Sequence, residues 1–186
     1  MSVEFTDLQA LVRTRRTTKQ TDSDREVPRT VVEDLCELAT WAPNHRRTNP
    51  WRFAVFTGAA RQRLGDTIGD VLVKLEAHEA AIKKTRTKYF RASTIIVVGS
   101  IEGPDEVTTG ENRDSVSAGI NNMLLGAHAL GLATLWSTIA TPTAPELLAL
   151  CGFPPGTFCA GAIYLGYPTG SEGAGVREAP TITWHE

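Results

Sequence analysis

The stretch "APNHRRTNPWRF", residues 42 to 53, lies between an apolar helical pattern and a strand-like pattern. It carries one histidine, three arginines and two asparagines in one short connection. A connection is polar because it runs over the surface, but it does not need this combination of cations and carboxamides. His45 and Asn49 have the hydrogen-bonding groups that read the edge of a heterocycle, so they are candidate ligand contacts. A histidine on a solvated surface loop is the alternative interpretation of His45.

The residues on the amino side of this stretch predict two helices. Thr6 and Gln9 resemble a capping box, and the helix that they begin is expected to run into residues 13–19. Pro28 suits the first turn of a second helix, and Pro43 ends its apolar pattern.

The residues on the carboxyl side predict a sheet with intervening helices. The predicted strands are 51–56, 93–100, 133–136 and 158–166, the predicted helices are 115–130 and 144–150, residues 59–91 are helical in character, and 101–114 form a predicted polar loop. Gly65 and Gly69 are predicted interruptions, and Gly131 is a predicted C-cap. Trp51 and Phe53 are predicted to pack in the core.

Length and composition are those of a globular protein with one domain. The chain has 186 residues, of which 41% are hydrophobic and 22% charged, and its three isolated cysteines suit buried thiols. The formal net charge of −2 argues against nucleic acid as the main partner. The first residues do not resemble a secretory signal, and no apolar run approaches the ~20 residues that span a bilayer. We therefore expect a cytoplasmic protein that binds neither nucleic acid nor membrane.

Common catalytic motifs are missing from the sequence. It has no G-x-S-x-G, H-E-x-x-H or C-x-x-C motif, no P-loop, and no G-x-G-x-x-G after a strand, so we predict no metal site. A nucleotide enzyme would need another way to hold phosphate. Guanidinium groups can donate paired hydrogen bonds to phosphate oxygens, and the candidates are Arg13, Arg15 and Arg16. The Thr17 hydroxyl and Lys19 can add further donors. The alternative is a solvated helix end, where the dipole also favours cations.

Four segments together resemble the nitroreductase family of flavin enzymes. They are "RRTTK" at 15–19, "APNHRRTNPWRF" at 42–53, "GLATLW" at 131–136 and "GAIYLGYP" at 161–168. The resemblance implies an α+β fold, a three-layer α/β/α sandwich around a mixed, mainly antiparallel sheet. It covers nearly the whole chain, so residues 1–186 are expected to form one FMN-binding domain. The tail, about 167–186, is expected to reach a partner subunit.

The resemblance also implies the cofactor and its contacts. FMN would bind non-covalently at the interface of a homodimer, with Arg15, Arg16 and Thr17 at its phosphate and ribityl chain. Lys19 would lie at the pyrimidine edge of the ring, where a cation stabilises negative charge. The remaining implied contacts are His45 and Asn49 from the other subunit, Trp136, Ser137 and Thr138 beside the ring, and Arg177 at the phosphate.

Three positions depart from the family pattern. Thr17 stands where serine is usual and keeps the hydroxyl, whereas Asn49 stands where glutamine is usual and has a shorter side chain. Arg47 occupies a position where many members have asparagine, so that contact is not carried over.

The implied reaction needs no catalytic side chain. NADH or NADPH would pass a hydride to the flavin N5 and leave, and a small electron-poor acceptor, such as a nitroaromatic or a quinone, would then take its place in a ping-pong cycle. Two alternatives remain open. One is an FMN enzyme of the same fold that desaturates or dehalogenates another substrate, and the other is a non-catalytic flavin-binding protein.

Overall fold

A four-stranded sheet lies at the centre of the computed structural model, which describes residues 4–171 and 173–186. The strands are β1 (Trp51–Thr57), β2 (Thr94–Ser100), β3 (Ala133–Ser137) and β4 (Phe158–Gly166), in the order β1-β2-β4-β3. Each neighbouring pair of strands is antiparallel. A parallel bridge joins Thr17 to Thr134 beside β3. The predicted mainly antiparallel sheet is therefore confirmed.

Six α-helices cover this sheet within the described part of the chain. They are α1 (Phe5–Thr14), α2 (Arg29–Thr40), α3 (Ala60–Lys74), α4 (Glu79–Thr87), α5 (Glu106–Ala129) and α6 (Pro145–Cys151), with 3-10 turns at His45–Arg47 and Lys88–Arg91. Gly131 follows α5 with a φ of 71°, as its predicted capping role requires.

Alternating residues of β2 build the two cores. Ile96 and Val98 pack with α2 and α5 on one face, whereas Ile95 and Val97 pack with α3 and α6 on the other face. All four side chains are fully buried. Since side chains alternate across a strand, one continuous apolar run serves both helical layers. This arrangement confirms the predicted three-layer sandwich.

Trp51 joins the start of β1 to α5. Its indole is buried, as predicted, and its Nε1 donates to the Ser115 carbonyl at 3.2 Å. A Cβ at Gly119 would lie 2.6 Å from Trp51 Nε1 and 2.5 Å from the Ala39 carbonyl oxygen. The glycine therefore lets α2, α5 and Trp51 meet closely, which fixes the chain directly after residues 42–50.

Three predicted helix boundaries are wrong. Helix α5 begins at Glu106, inside the predicted loop, because the Asp105 carboxylate accepts a hydrogen bond from Thr108 N at 2.7 Å and caps it. Helix α3 runs through Gly65 and Gly69 without a break. A Cβ at Gly65 would lie 2.5 Å from the Arg86 carbonyl oxygen, so the lack of a side chain here lets α4 pack closely against α3.

The third correction concerns α1, which ends at Thr14 and does not continue to residue 19. Its N-cap is Glu4, so Thr6 lies inside the first turn and the predicted capping box is not formed. Of the tail, residue 172 lies outside the described residues, and residues 173–186 have no helix or strand.

Candidate functional site

The segment after α1 is extended along the edge of β3. Arg15 leaves the helix with a φ of −59° and a ψ of 131°, and Thr17 forms the parallel bridge to Thr134. Thr18 N donates to the Thr134 carbonyl at 3.1 Å. At about 3.3 Å per residue, the path from Arg15 to Lys19 spans roughly 13 Å. The sequence "RRTTK" can therefore contact both ends of an elongated ligand.

A cavity of about 440 Å³ opens at the amino end of this segment. We call it the arginine cavity; it is lined by Val12, Arg13, Arg15, Arg16, Asn121, Leu125, Gly175 and Arg177. None of these described residues is acidic. The structure thus brings Arg177 to Arg15 and Arg16, although the two positions are far apart in the sequence.

Arg15 contributes a charge that the described chain leaves uncompensated. Its Nη1 atom is buried and has no hydrogen-bond partner among residues 4–171 and 173–186. Burial lowers the pKa of Arg15, and the nearby charges of Arg16 and Arg177 lower it further. An arginine nevertheless stays protonated in proteins, so this crowding of cations favours a bound anion. The donor set fits a phosphate group, which accepts paired hydrogen bonds from guanidinium.

Arg16 holds the walls of the arginine cavity together. Its Nη1 donates to the carbonyl oxygens of Arg13 and Arg15, at 2.6 and 2.8 Å, and its Nε donates to the Gly173 carbonyl at 3.1 Å. A Cβ at Gly175 would lie 2.6 Å from the Arg16 guanidinium carbon. These contacts hold the tail at Gly173 and Gly175 against the segment after α1.

A second cavity, of about 500 Å³, lies at the other end of this segment. We call it the lysine cavity; it is lined by Lys19, Lys84, Lys88, Arg91, Leu135, Ser137, Thr138, Ile139, Ala140 and Tyr164. It brings the predicted site residues Lys19, Ser137 and Thr138 together. Trp136 is not among its lining residues, and its Nε1 donates to the Ala160 carbonyl at 3.2 Å.

The loop that contains His45 and Asn49 has an unusual backbone. Arg46, Arg47 and Asn49 have φ values of 60°, 53° and 50°. Left-handed conformations of non-glycine residues are uncommon, and they persist where surrounding contacts hold them. His45 is mostly exposed, and its Nδ1 lies 2.9 Å from Glu111 Oε2 of α5.

A network of hydrogen bonds that the sequence did not indicate holds this loop. Thr48 Oγ1 donates to Asn112 Oδ1 at 2.5 Å, and Asn112 Nδ2 donates to the Ile101 carbonyl at 3.1 Å. Asn44 Nδ2 donates to Thr48 Oγ1 and to Ser115 Oγ, at 3.0 and 3.3 Å. Asn112 is buried. A carboxamide on the face of α5 that packs against the core needs a hydrogen-bond partner, and this could have indicated the network.

Helix α5 separates the two groups of predicted site residues within one chain. The loop contacts Glu111 and Asn112 in its first half, whereas Asn121 and Leu125 in its second half line the arginine cavity. At a rise of 1.5 Å per residue, Glu111 and Asn121 lie roughly 15 Å apart along the helix. Arg15 and His45 are therefore not brought together by contacts within the chain.

Other chemistries find little support in the described residues. Burial raises the pKa of Cys36 to about 11 and those of Cys151 and Cys159 to about 12, so these thiols are protonated near neutral pH. No group of three metal-binding side chains occurs within the described ranges. Likewise, none of the helices that the structure describes is long and apolar enough to cross a membrane.

A family comparison decides the classification. Residues 12–167 match the model of the Nitroreductase family. The chain belongs to the nitroreductase family. This confirms the resemblance that the four sequence segments indicated. The provisionally named NAD(P)H nitroreductase YdjA of Escherichia coli (strain K12) is 30% identical over 138 residues, which are 74% of this chain and 75% of YdjA.

Solved nitroreductases share the fold along the whole chain. A nitroreductase with bound FMN from Bacteroides fragilis is 21% identical with a TM-score of 0.78, covering 97% of this chain and 99% of that one. A structure from Desulfovibrio desulfuricans, in complex with FMN, is 25% identical with a TM-score of 0.70, covering 97% of this chain and 100% of that one.

Proposed function

We propose that this protein is an FMN-dependent NAD(P)H oxidoreductase that reduces nitroaromatics, quinones or similar electron-poor acceptors. The observation that carries the proposal is the arginine cavity, where the buried Nη1 of Arg15 has no partner among the described residues. Family membership and two FMN-containing structural relatives support the same cofactor. The name of YdjA supports a nicotinamide nucleotide as electron donor.

The chain offers a group for each part of FMN. Arg15 and Arg177 would bind the phosphate, Arg16 would hold these walls in place and contact the phosphate itself, and the Thr17 hydroxyl would contact the ribityl chain. When bound, flavin supplies the ability to accept a hydride from a nicotinamide and pass it to a second substrate.

The lysine cavity would contact the flavin ring. Lys19 would place a positive charge at the pyrimidine edge, where it stabilises negative charge on the ring. Ser137 and Thr138 lie beside Lys19 and would border the ring, with Trp136 adjacent to them on β3.

We further propose a homodimer that completes each FMN site. His45 and Asn49 belong to the loop that contacts the first half of α5, away from the arginines at its second half, and they would serve the partner's site. Large apolar side chains support an interface: Phe5 is 70% exposed, Trp41 74% and Trp184 81%. The tail beyond Arg177 would contact the partner. Light scattering should report about 40 kDa, twice the 20.2 kDa of one chain; about 20 kDa would contradict the dimer.

Anaerobic reduction and steady-state kinetics test the function. The FMN-loaded protein should lose its flavin absorbance when mixed with NADH or NADPH, and adding a nitroaromatic should restore it. Initial rates at several fixed acceptor concentrations should give parallel double-reciprocal lines, as a ping-pong cycle requires. If reduced nicotinamides leave the flavin oxidised, the oxidoreductase proposal is wrong. If the protein binds no FMN at all, the proposed cofactor is wrong as well.

A further inference from the structure

The lysine cavity concentrates positive charge that the chain does not neutralise. Its four cations are Lys19, Lys84, Lys88 and Arg91. None of its described lining residues is acidic, and none of the four cations forms an ion pair within the described part of the chain. Helix α4 itself provides the contrast: Arg86, two residues after Lys84, pairs with Asp66 and Asp70 at 3.3 and 2.6 Å.

Lys88 is the most constrained of these cations. It is half-buried, and its ammonium lies 5.0 Å from the centroid of the Tyr89 ring. Burial lowers the pKa of Lys88, and the charges of Lys84 and Arg91 lower it further. The apolar lining includes Leu135, Ile139 and Ala140. Because an apolar wall reduces screening, this cluster would attract an anion more strongly than lysines on an open surface.

The position of this charge points to the substrate. The arginine cavity, roughly 13 Å away along an extended segment, already has the donors for the FMN phosphate. Lys19, Ser137 and Thr138 belong to the proposed ring contacts, whereas Lys84, Lys88 and Arg91 line the same cavity and have no assigned role toward FMN.

We propose that the lysine cavity binds an anionic group of the substrate, either a carboxylate on the electron acceptor or the 2′-phosphate of NADPH. Both groups present oxygen atoms that accept hydrogen bonds from ammonium and guanidinium donors. The inference rests on the proposed function, since it assigns the charge preference of the same site.

A charge-matched comparison of acceptors and donors tests it. Lys88→Met keeps the aliphatic stem and removes the charge, and Lys83→Met is the control, because Lys83 is exposed on α4 and does not line the cavity. kcat/KM is measured for 4-nitrobenzoate and neutral 4-nitrobenzamide, each with NADH and with NADPH. Loss of one charged hydrogen bond should lower kcat/KM about tenfold for the anionic reactant and less than about twofold for its neutral counterpart.

The pattern of the loss identifies the source of the anion. A loss confined to 4-nitrobenzoate assigns the carboxylate, and a loss confined to NADPH assigns the 2′-phosphate. Equal effects on charged and neutral reactants, or the same loss in Lys83→Met, would overturn the proposal. Loss of FMN from Lys88→Met with unchanged selectivity would assign the lysine to the cofactor and also overturn it.

A binding measurement separates this inference from the proposed function. Calorimetric titration of the FMN-saturated protein uses 4-nitrobenzoate, 4-nitrobenzamide and adenosine 2′,5′-bisphosphate as probes. Wild type should bind an anionic probe about tenfold more tightly than Lys88→Met, whether or not the protein oxidises NADH or NADPH. If wild type turns over no acceptor but shows this difference, the oxidoreductase proposal fails and the anion site stands. Equal affinities in both proteins would reject the anion site alone.

Discussion

The arginine cavity and the loop at residues 44–49 are both rich in polar groups, but they use them differently. In the loop, Asn44 and Thr48 have hydrogen-bond partners within the chain, and they fix a strained backbone against α5. In the arginine cavity, Arg15 has a buried Nη1 without a partner in the described residues. Since buried polar atoms are normally satisfied, the unpaired guanidinium nitrogen of Arg15, next to Arg16 and Arg177, favours a bound anion, whereas the paired groups of the loop support its backbone.

The largest expected effect on cofactor binding follows from removing Arg15. Arg15→Met should weaken FMN binding about 10- to 100-fold, because the phosphate loses a charged hydrogen-bond donor. The measurement is the quenching of FMN fluorescence on titration with flavin-free protein. Arg63→Met, which removes an exposed arginine of α3, is the control and should leave the affinity unchanged. Equal affinities in wild type and Arg15→Met would remove Arg15 from the site.

The loop network should contribute to stability. Asn112→Ala removes the acceptor of the Thr48 hydroxyl proton and the donor to the Ile101 carbonyl, each loss costing about 1–3 kcal/mol. We expect the free energy of unfolding to fall by about 2–4 kcal/mol in urea denaturation, consistent with two such losses. Asn122→Ala changes a residue of the same helix whose side chain forms no hydrogen bond described by the structure, and it should change the free energy of unfolding by less than about 0.5 kcal/mol. Similar losses in both variants would show that the network does not anchor the loop.

A pair of glycines in α5 tests how the loop is joined to the core. Gly119→Ala forces a methyl group against the Ala39 carbonyl and Trp51, and should destabilise the protein by about 1–3 kcal/mol. Gly110→Ala meets nothing within 4 Å and should stabilise it by about 0.5–1 kcal/mol, because alanine favours a helix interior. Thermal unfolding of both variants measures the difference. Opposite signs are expected, and a shared sign would contradict the close approach.

The smallest stability effect is expected at His45. His45 is largely exposed and glutamine keeps a side-chain donor for Glu111, so His45→Gln should change the free energy of unfolding by less than about 1 kcal/mol. FMN binding should nevertheless weaken if His45 serves the partner's site. If a stable His45→Gln dimer binds FMN with normal affinity, His45 does not contact the cofactor and serves only the loop.

Most of the fold could be predicted because its signals are local. The strands at 94–100 and 158–166 are apolar runs with flanking turns, which can be recognised from the local sequence alone. The early end of α1 was missed, because the bridge between Thr17 and Thr134 joins residues distant in sequence. The start of α5 was missed because Gly103, Pro104 and Gly110 resembled a loop, whereas Asp105 caps a helix there.

The site was predicted in parts. A resemblance in sequence indicated Arg15, Arg16 and Arg177, but only the folded chain shows that they share one cavity. The sequence did not indicate that Lys84, Lys88 and Arg91 line a cavity with Lys19, since a charged helical pattern does not distinguish paired cations such as Arg86 from unpaired ones. That distinction depends on the carboxylates of α3, which approach α4 only in three dimensions.

The most direct test of the central claim compares FMN with riboflavin, which lacks the phosphate. Charged phosphate contacts from Arg15, Arg16 and Arg177 should make flavin-free wild type bind FMN at least about a hundredfold more tightly than riboflavin. In Arg15→Met that ratio should fall about tenfold or more, while the affinity for riboflavin stays the same. Equal affinities of wild type for FMN and riboflavin would contradict a phosphate site in the arginine cavity.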